Sequence, residues 1–195
     1  MSIGIIKEIK FLKKLIGRTL PTNKYGKAGR ALEDMLEIDF GIIVNRGPGP
    51  DDLFYSIDYK TRDLDATSAQ TIATMKVSDI IKTPYEKSAV FKKFQRQVRV
   101  KTKNNIIVSA ELYDFRSAHI QDNIKKAYEY AQGQLAADLN IQITKSGPFS
   151  TGHWGYFENS NNRENSRSFR VSQSGMDQYE SMTKANFNGI FDYGN

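Results

Sequence analysis

Cysteine is absent from the 195-residue chain, and there are only two histidines. No disulfide or thiolate metal site can form, and two histidines are too few for a typical zinc site. Any metal must therefore be held by oxygen ligands, which favour a hard divalent cation.

Long hydrophobic runs are also missing. Residues 3–17 are apolar in parts, but charged side chains interrupt them, and their spacing predicts an amphipathic helix. Packing of this helix on a core is favoured over binding to a membrane surface. Because the segment resembles neither a membrane span nor a secretion signal, we expect a cytoplasmic protein without a membrane partner.

Basic residues are in excess, with 28 Lys and Arg against 22 Asp and Glu, a net charge of +6 and a pI near 9.3. This balance favours a polyanionic partner and leaves DNA, RNA or a membrane surface open. The length predicts one domain, residues 1–195. From residue 144 onward Gly, Ser, Asn and aromatic residues replace the helical period, and we expect residues 144–195 to be a C-terminal subregion for DNA recognition.

Hydrophobic periodicity and turn residues predict a mixed order of helices and strands. The predicted helices are Ala28 to Phe40, closed by Gly41, then 85–96 and 117–139. The predicted strands are 42–44, 53–60, 71–75, a hairpin of 98–100 with 106–112 around Asn104 and Asn105, and the pair 153–158 and 168–173.

The segment PDDLFYSIDYK, residues 50–60, places Asp51, Asp58 and Lys60 on a turn followed by a strand. Strand alternation places Asp58 and Lys60 on one face. Carboxylates beside an ammonium are costly to bring together unless they bind something, and a divalent cation with a phosphodiester is the natural ligand. An Asp-x-Lys triplet such as residues 58–60 also occurs often by chance, and exposed Asp and Lys side chains are usually solvated surface.

Two blocks then resemble a known family. LEIDFG (Leu36–Gly41) with PDDLFYSIDYKT (Pro50–Thr61), and YEKSAVFKKFQRQV (Tyr85–Val98), are similar to the MutH-like branch of the PD-(D/E)XK nuclease superfamily. The spacing from Glu37 to the residue 51 acid and on to the Asp-x-Lys triplet agrees with that branch. The resemblance implies an α/β restriction-endonuclease-like fold, with a mixed β-sheet core flanked by helices.

The resemblance also implies roles for particular residues. The expected Mg²⁺ ligands are Glu37, Asp51 and Asp58, with Lys60 acting on the nucleophile or phosphate and Lys93 matching a second active-site lysine. The chain departs from the branch by carrying Asp58 where Glu is common. It also has Gly29 at a position that is basic in the repair enzyme, so Lys27 or Arg30 would substitute. Glu33 is an alternative to Glu37.

DNA contacts are expected at two groups of residues. Phosphates are assigned to Lys87, Lys92 and Arg96, and bases to Arg163, Arg167, Arg170 and Gln173. The alternative interpretations are a solvated helix face and a polar loop.

The predicted function is sequence-specific, Mg²⁺-dependent hydrolysis of double-stranded DNA by a type II restriction endonuclease, as a monomer or homodimer. A mismatch-repair or strand-nicking endonuclease is the alternative within this class, and a non-catalytic DNA-binding protein is the alternative outside it.

Overall fold

The computed structural model describes residues 12–21, 28–53, 56–139, 155–159 and 165–186. The helices are α1 (Ala28–Phe40), α2 (Val77–Lys82), α3 (Ala89–Lys93), α4 (Ala118–Ala137) and α5 (Gln173–Asn186), with a 3-10 turn at Tyr85–Lys87. The strands are β1 (Ile57–Asp63), β2 (Gln70–Lys76), β3 (Arg96–Lys103), β4 (Ile106–Asp114), β5 (Gly155–Asn159) and β6 (Ser166–Val171).

The chain divides into two compact units. The first comprises Met1–Ala66 and Gln95–Tyr113, and the second comprises Thr67–Phe94 and Asp114–Asn195. Each unit contains one three-stranded sheet, ordered β1-β3-β4 in the first and β2-β6-β5 in the second. The predicted α/β class is confirmed, as two small sheets with helices.

Helix α1 has the predicted bounds because its end is encoded locally. Gly41 adopts φ 66°, and its N–H donates to the carbonyl of Glu37 at 3.2 Å. The N–H of Ile42 donates to the carbonyl of Leu36 at 3.0 Å, so two carbonyls of the last helical turn are satisfied. The buried side of α1 carries Leu32, Met35 and Leu36, as its periodicity predicts.

The first sheet has one apolar and one polar face. β1 and β3 run parallel, with Ile57 opposite Arg96 and Tyr59 opposite Val98. Side chains alternate along each strand, so every second residue faces the core. The buried apolar cluster of this unit includes Leu12, Leu15, Leu32, Leu36, Val44, Ile57, Tyr59, Val98, Val100 and Ile107.

The β3–β4 hairpin confirms the predicted turn. Asn104 and Asn105 both have positive φ, 53° and 63°, as a tight two-residue hairpin turn requires. Asparagine tolerates this conformation better than most residues. The turn also contacts the segment before α1, since the N–H of Leu20 donates to the carbonyl of Asn105 at 2.8 Å.

The second unit has an aromatic core. β6 pairs antiparallel with both β2 and β5. The rings of Phe94 and Phe115 stack at 4.7 Å, and that of Phe157 meets Phe169 edge-on at 5.0 Å. Helix α4 is anchored by Gln132, whose Nε2 donates to the carbonyl of Ile80 at 2.7 Å.

Several predicted elements require correction. Residues 42–44 belong to an irregular loop instead of a strand, and the central strand begins at Ile57 instead of residue 53. The predicted helix 85–96 is divided, because Ser88 Oγ accepts the N–H of Phe91 and begins a new helix. Of the predicted helix 3–17, residues 12–15 are helical and 3–11 lie outside the described residues.

The last third contains a helix that was not predicted. α5 begins after Ser172, whose Oγ accepts the N–H of Gly175 at 3.0 Å. Met176, Tyr179 and Thr183 form its buried side. None of the helices within the described parts of the chain is long and apolar enough to cross a bilayer.

Candidate functional site

The turn before β1 folds back along the outer edge of that strand. The N–H of Asn45 donates to the carbonyl of Asp51 at 2.7 Å, and Asn45 Nδ2 donates to the carbonyl of Pro50 at 3.0 Å. Asp52 and Ile57 exchange two backbone hydrogen bonds of 2.8 and 3.0 Å. These bonds fix the predicted Gly-Pro turn and bring Asp51 against β1.

The Asp51 carboxylate is bound to the strand backbone. Its Oδ2 accepts the N–H of Tyr59 at 2.8 Å, and the residue is buried with 6% exposure. Tyr59 directly follows Asp58 in sequence, so the Asp51 carboxylate binds the peptide unit that joins Asp58 to Tyr59. The predicted meeting of a turn carboxylate with the strand therefore occurs in the structure.

Asp58 and Lys60 form an ion pair on one face of β1. Lys60 Nζ lies 2.5 Å from Asp58 Oδ2. Asp58 has no exposed surface, whereas the Lys60 side chain is 19% exposed. A wholly buried carboxylate is expensive unless a cation accompanies it. Alternation of side chains brought this pair together, as the sequence predicted.

Glu37 makes a different contact from the other acids. Its Oε2 lies 2.7 Å from Arg46 Nη2, and Arg46 also approaches Glu33 at 3.9 Å and Asp34 at 3.6 Å. The Glu37 side chain is 31% exposed. Among the described residues, no three acidic or histidine side chains are grouped closely enough to hold a metal ion. Ligation by Glu37 or Glu33 stays a prediction.

The predicted phosphate contacts do not share one helix. Lys87 ends the 3-10 turn and is exposed, Lys92 is exposed on α3, and Lys93 is the half-buried last residue of α3. Arg96 begins β3 and is half-buried. Lys87, Lys92 and Lys93 belong to the second unit, whereas Arg96 belongs to the first.

The predicted base contacts differ in accessibility. Arg167 is buried, with Nη1 donating to the carbonyl of Ser166 and Nη2 to that of Leu139. Arg170 is half-buried and forms an ion pair with Glu158.

Gln173 Nε2 donates to Asp177 Oδ1 at 2.7 Å within α5. Arg163 lies outside the described residues. DNA contact by the C-terminal group stays a prediction.

Two polar residues on β3 were not predicted as part of the site. Gln97 pairs with Asp58 and Arg99 pairs with Lys60 in the parallel register. Both are buried. The polar alternation of RQVRVK was visible in the sequence, but their neighbours on β1 follow only from strand pairing.

Comparison with known proteins gives no assignment. No protein-family profile matches the chain, and no curated protein matches its sequence.

Proposed function

We propose that this chain is a sequence-specific DNA endonuclease of the MutH-like type, acting as a type II restriction enzyme with Mg²⁺. The observation that carries the proposal is the ion pair of buried Asp58 with partly exposed Lys60, on the strand whose backbone binds the Asp51 carboxylate. The chain retains charged groups in a position where apolar residues would cost less. Binding a cation and a phosphate would explain why these charged groups are retained at a buried position.

The architecture of the first unit supports the proposal. Helix α1 packs beside β1, β1 runs parallel to β3, and β3 turns into β4. A helix followed by a mixed sheet that bears acids and a lysine is the arrangement expected of a restriction-endonuclease-like core.

Mg²⁺ usually keeps several waters and takes one or two carboxylates from a protein, so two acids are enough in number for this proposal. Asp51 and Asp58 would hold the ion. When bound, Mg²⁺ supplies positive charge to the phosphate and acidifies water. The hydrogen bond from the N–H of Tyr59 fixes the orientation of the Asp51 carboxylate.

Lys60 has a separate role in this proposal. Its ammonium contacts the Asp58 carboxylate, which would be a ligand of the cation, and Lys60 Nζ would donate a hydrogen bond to a phosphate oxygen. The Lys60 side chain is 19% exposed, so it is the partner in this ion pair that solvent reaches.

Cleavage of plasmid and phage DNA, methylated and unmethylated, tests the proposal. Wild type with Mg²⁺ should give discrete fragments, whereas EDTA, Asp58→Asn and Lys60→Ala should each abolish them. Lys103→Ala is the matched control, because Lys103 is an exposed lysine in the same unit. Failure of folded wild type to cut any of these substrates with Mg²⁺ would falsify the proposal.

A non-catalytic DNA-binding protein is the second candidate. The ion pair of Glu37 with Arg46 favours it, because this guanidinium engages the helix carboxylate that the resemblance assigns to metal. Retarded migration of DNA in a gel, without cutting, would support this candidate. Conversion of supercoiled plasmid to open circle alone would instead indicate a nicking enzyme.

A further inference from the structure

The polar face of the β1–β3 pair carries more charge than the predicted site. Asp58 lies opposite Gln97, and Lys60 lies opposite Arg99. Paired residues of parallel strands project to the same face, with the strands about 4.8 Å apart. Gln97 has no exposed surface and Arg99 is 3% exposed. The four side chains therefore form one row across two strands.

Burial makes this row expensive. Arginine stays charged in proteins, and bringing a guanidinium out of water costs several kcal/mol, on the order of the gain from a good ion pair. The opposite face of the same strand holds Val98 and Val100, so β3 otherwise follows an ordinary apolar pattern. Arg99 is thus a charged side chain at a position where an apolar residue of similar size would cost less to bury, which favours a role in binding a ligand.

We propose that Arg99 is a second phosphate-binding residue of the site and contacts the scissile phosphate together with Lys60. This inference rests on the proposed function. Lys60 is the partly exposed member of the row, so the phosphate arrives there, and Arg99 lies directly across the strand pair. A guanidinium also offers two parallel N–H donors that match two phosphate oxygens.

The charge balance of the reaction favours a second cationic side chain, Arg99, in addition to Lys60. In hydrolysis, a water oxygen bonds to phosphorus and the bond from phosphorus to one deoxyribose oxygen breaks. The water loses a proton and the leaving oxygen gains one, giving a phosphate monoester and a hydroxyl. The pentacovalent arrangement between these states carries two negative charges. The formal charges of Asp51, Asp58, Lys60 and Arg99 sum to zero, so a divalent cation held there would give the site a net charge of about +2, opposite to that of the pentacovalent arrangement.

Single-turnover cleavage by Arg99→Met and Arg99→Lys tests the inference. We expect Arg99→Met to cleave on the order of 100-fold more slowly, as when one donor to a developing oxyanion is removed. The cleavage rate of Arg99→Lys should fall about tenfold, because lysine keeps the charge but not the paired donors. Lys101→Met is the control, being a partly exposed cation two residues along the same face.

A modified substrate separates phosphate contact from a purely structural role. Once the cut position is mapped, a methylphosphonate there replaces one charged oxygen by a methyl group. If Arg99 contacts this phosphate, the modification should slow the Arg99 variants by a smaller factor than it slows wild type. A structural role would give equal factors for all proteins. Arg99→Lys keeps the buried charge and serves if Arg99→Met does not fold.

The outcomes distinguish the two proposals. If wild type cuts no DNA, both fall. If wild type cuts, two results would each overturn only the assignment of Arg99. One is cleavage by the folded Arg99 variants within about threefold of the wild-type rate. The other is an equal slowing of wild type and the Arg99 variants by the methylphosphonate.

Discussion

Replacement of Lys60 by methionine tests the ion pair at the centre of the candidate site. Lys60 Nζ lies 2.5 Å from Oδ2 of Asp58, a carboxylate with no exposed surface. Methionine retains an unbranched apolar stem, so the substitution removes the charge with little change in packing. Its effect on the free energy of unfolding therefore reports mainly on the electrostatics of Asp58.

The magnitude follows from burial. Removing one partner of a fully buried ion pair costs about 3–5 kcal/mol. Because the Lys60 side chain is 19% exposed, water screens part of the interaction, and we expect a loss of about 2–3 kcal/mol. Asp58→Asn should cost about 1 kcal/mol, since Lys60 can reach solvent. The double variant should lose about 1–2 kcal/mol less than the sum of the single losses.

Urea unfolding followed by circular dichroism measures these differences, provided that the slope with denaturant stays constant. Lys103→Met, at an exposed position of β3, should change the free energy of unfolding by less than about 0.5 kcal/mol. If Lys60→Met costs no more than this control, or if the losses of the two single variants simply add, Lys60 does not stabilise the buried Asp58 carboxylate.

Three further predictions concern packing, pH and metal. Calorimetry should show that Gly155→Ala loses about 1–3 kcal/mol, because its Cβ would overlap the Phe169 ring, whereas Gly133→Ala, with open space, should gain about 0.5–1 kcal/mol; equal effects would contradict this. Burial raises the pKa of Tyr128 to about 12. The folded state therefore keeps a proton that the unfolded state loses above about pH 10, and urea unfolding should show stability falling from pH 10 to 12, less steeply in Tyr128→Phe. Mg²⁺ should raise the melting temperature of wild type but not of Asp51→Asn, and an equal rise in both would argue against Asp51 as a ligand.

Features encoded within a few residues were predictable. The end of α1 at Gly41 needed only a residue that tolerates positive φ. The β3–β4 turn needed only two asparagines. The shared face of Asp58 and Lys60 follows from strand alternation alone.

The sequence did not predict secondary structure correctly where hydrophobic periodicity and helix caps indicate different elements. Residues 85–96 have helical periodicity, yet the Ser88 cap divides them and Arg96 joins a strand. The sequence predicts a strand at 168–173 and no helix after it, whereas the Ser172 cap and the helical spacing of Met176 and Tyr179 favour α5.

The sequence by itself determined the local geometry of the candidate site, namely a turn acid followed by an acid and a lysine on one strand face. Tertiary structure alone decided which side chains surround them. The pairing of β1 with β3 sets Gln97 and Arg99 beside Asp58 and Lys60, and the loop after α1 brings Arg46 to Glu37. The physical reason is that alternation along a strand is a local property, whereas strand register and burial are set by the packing of segments distant in sequence.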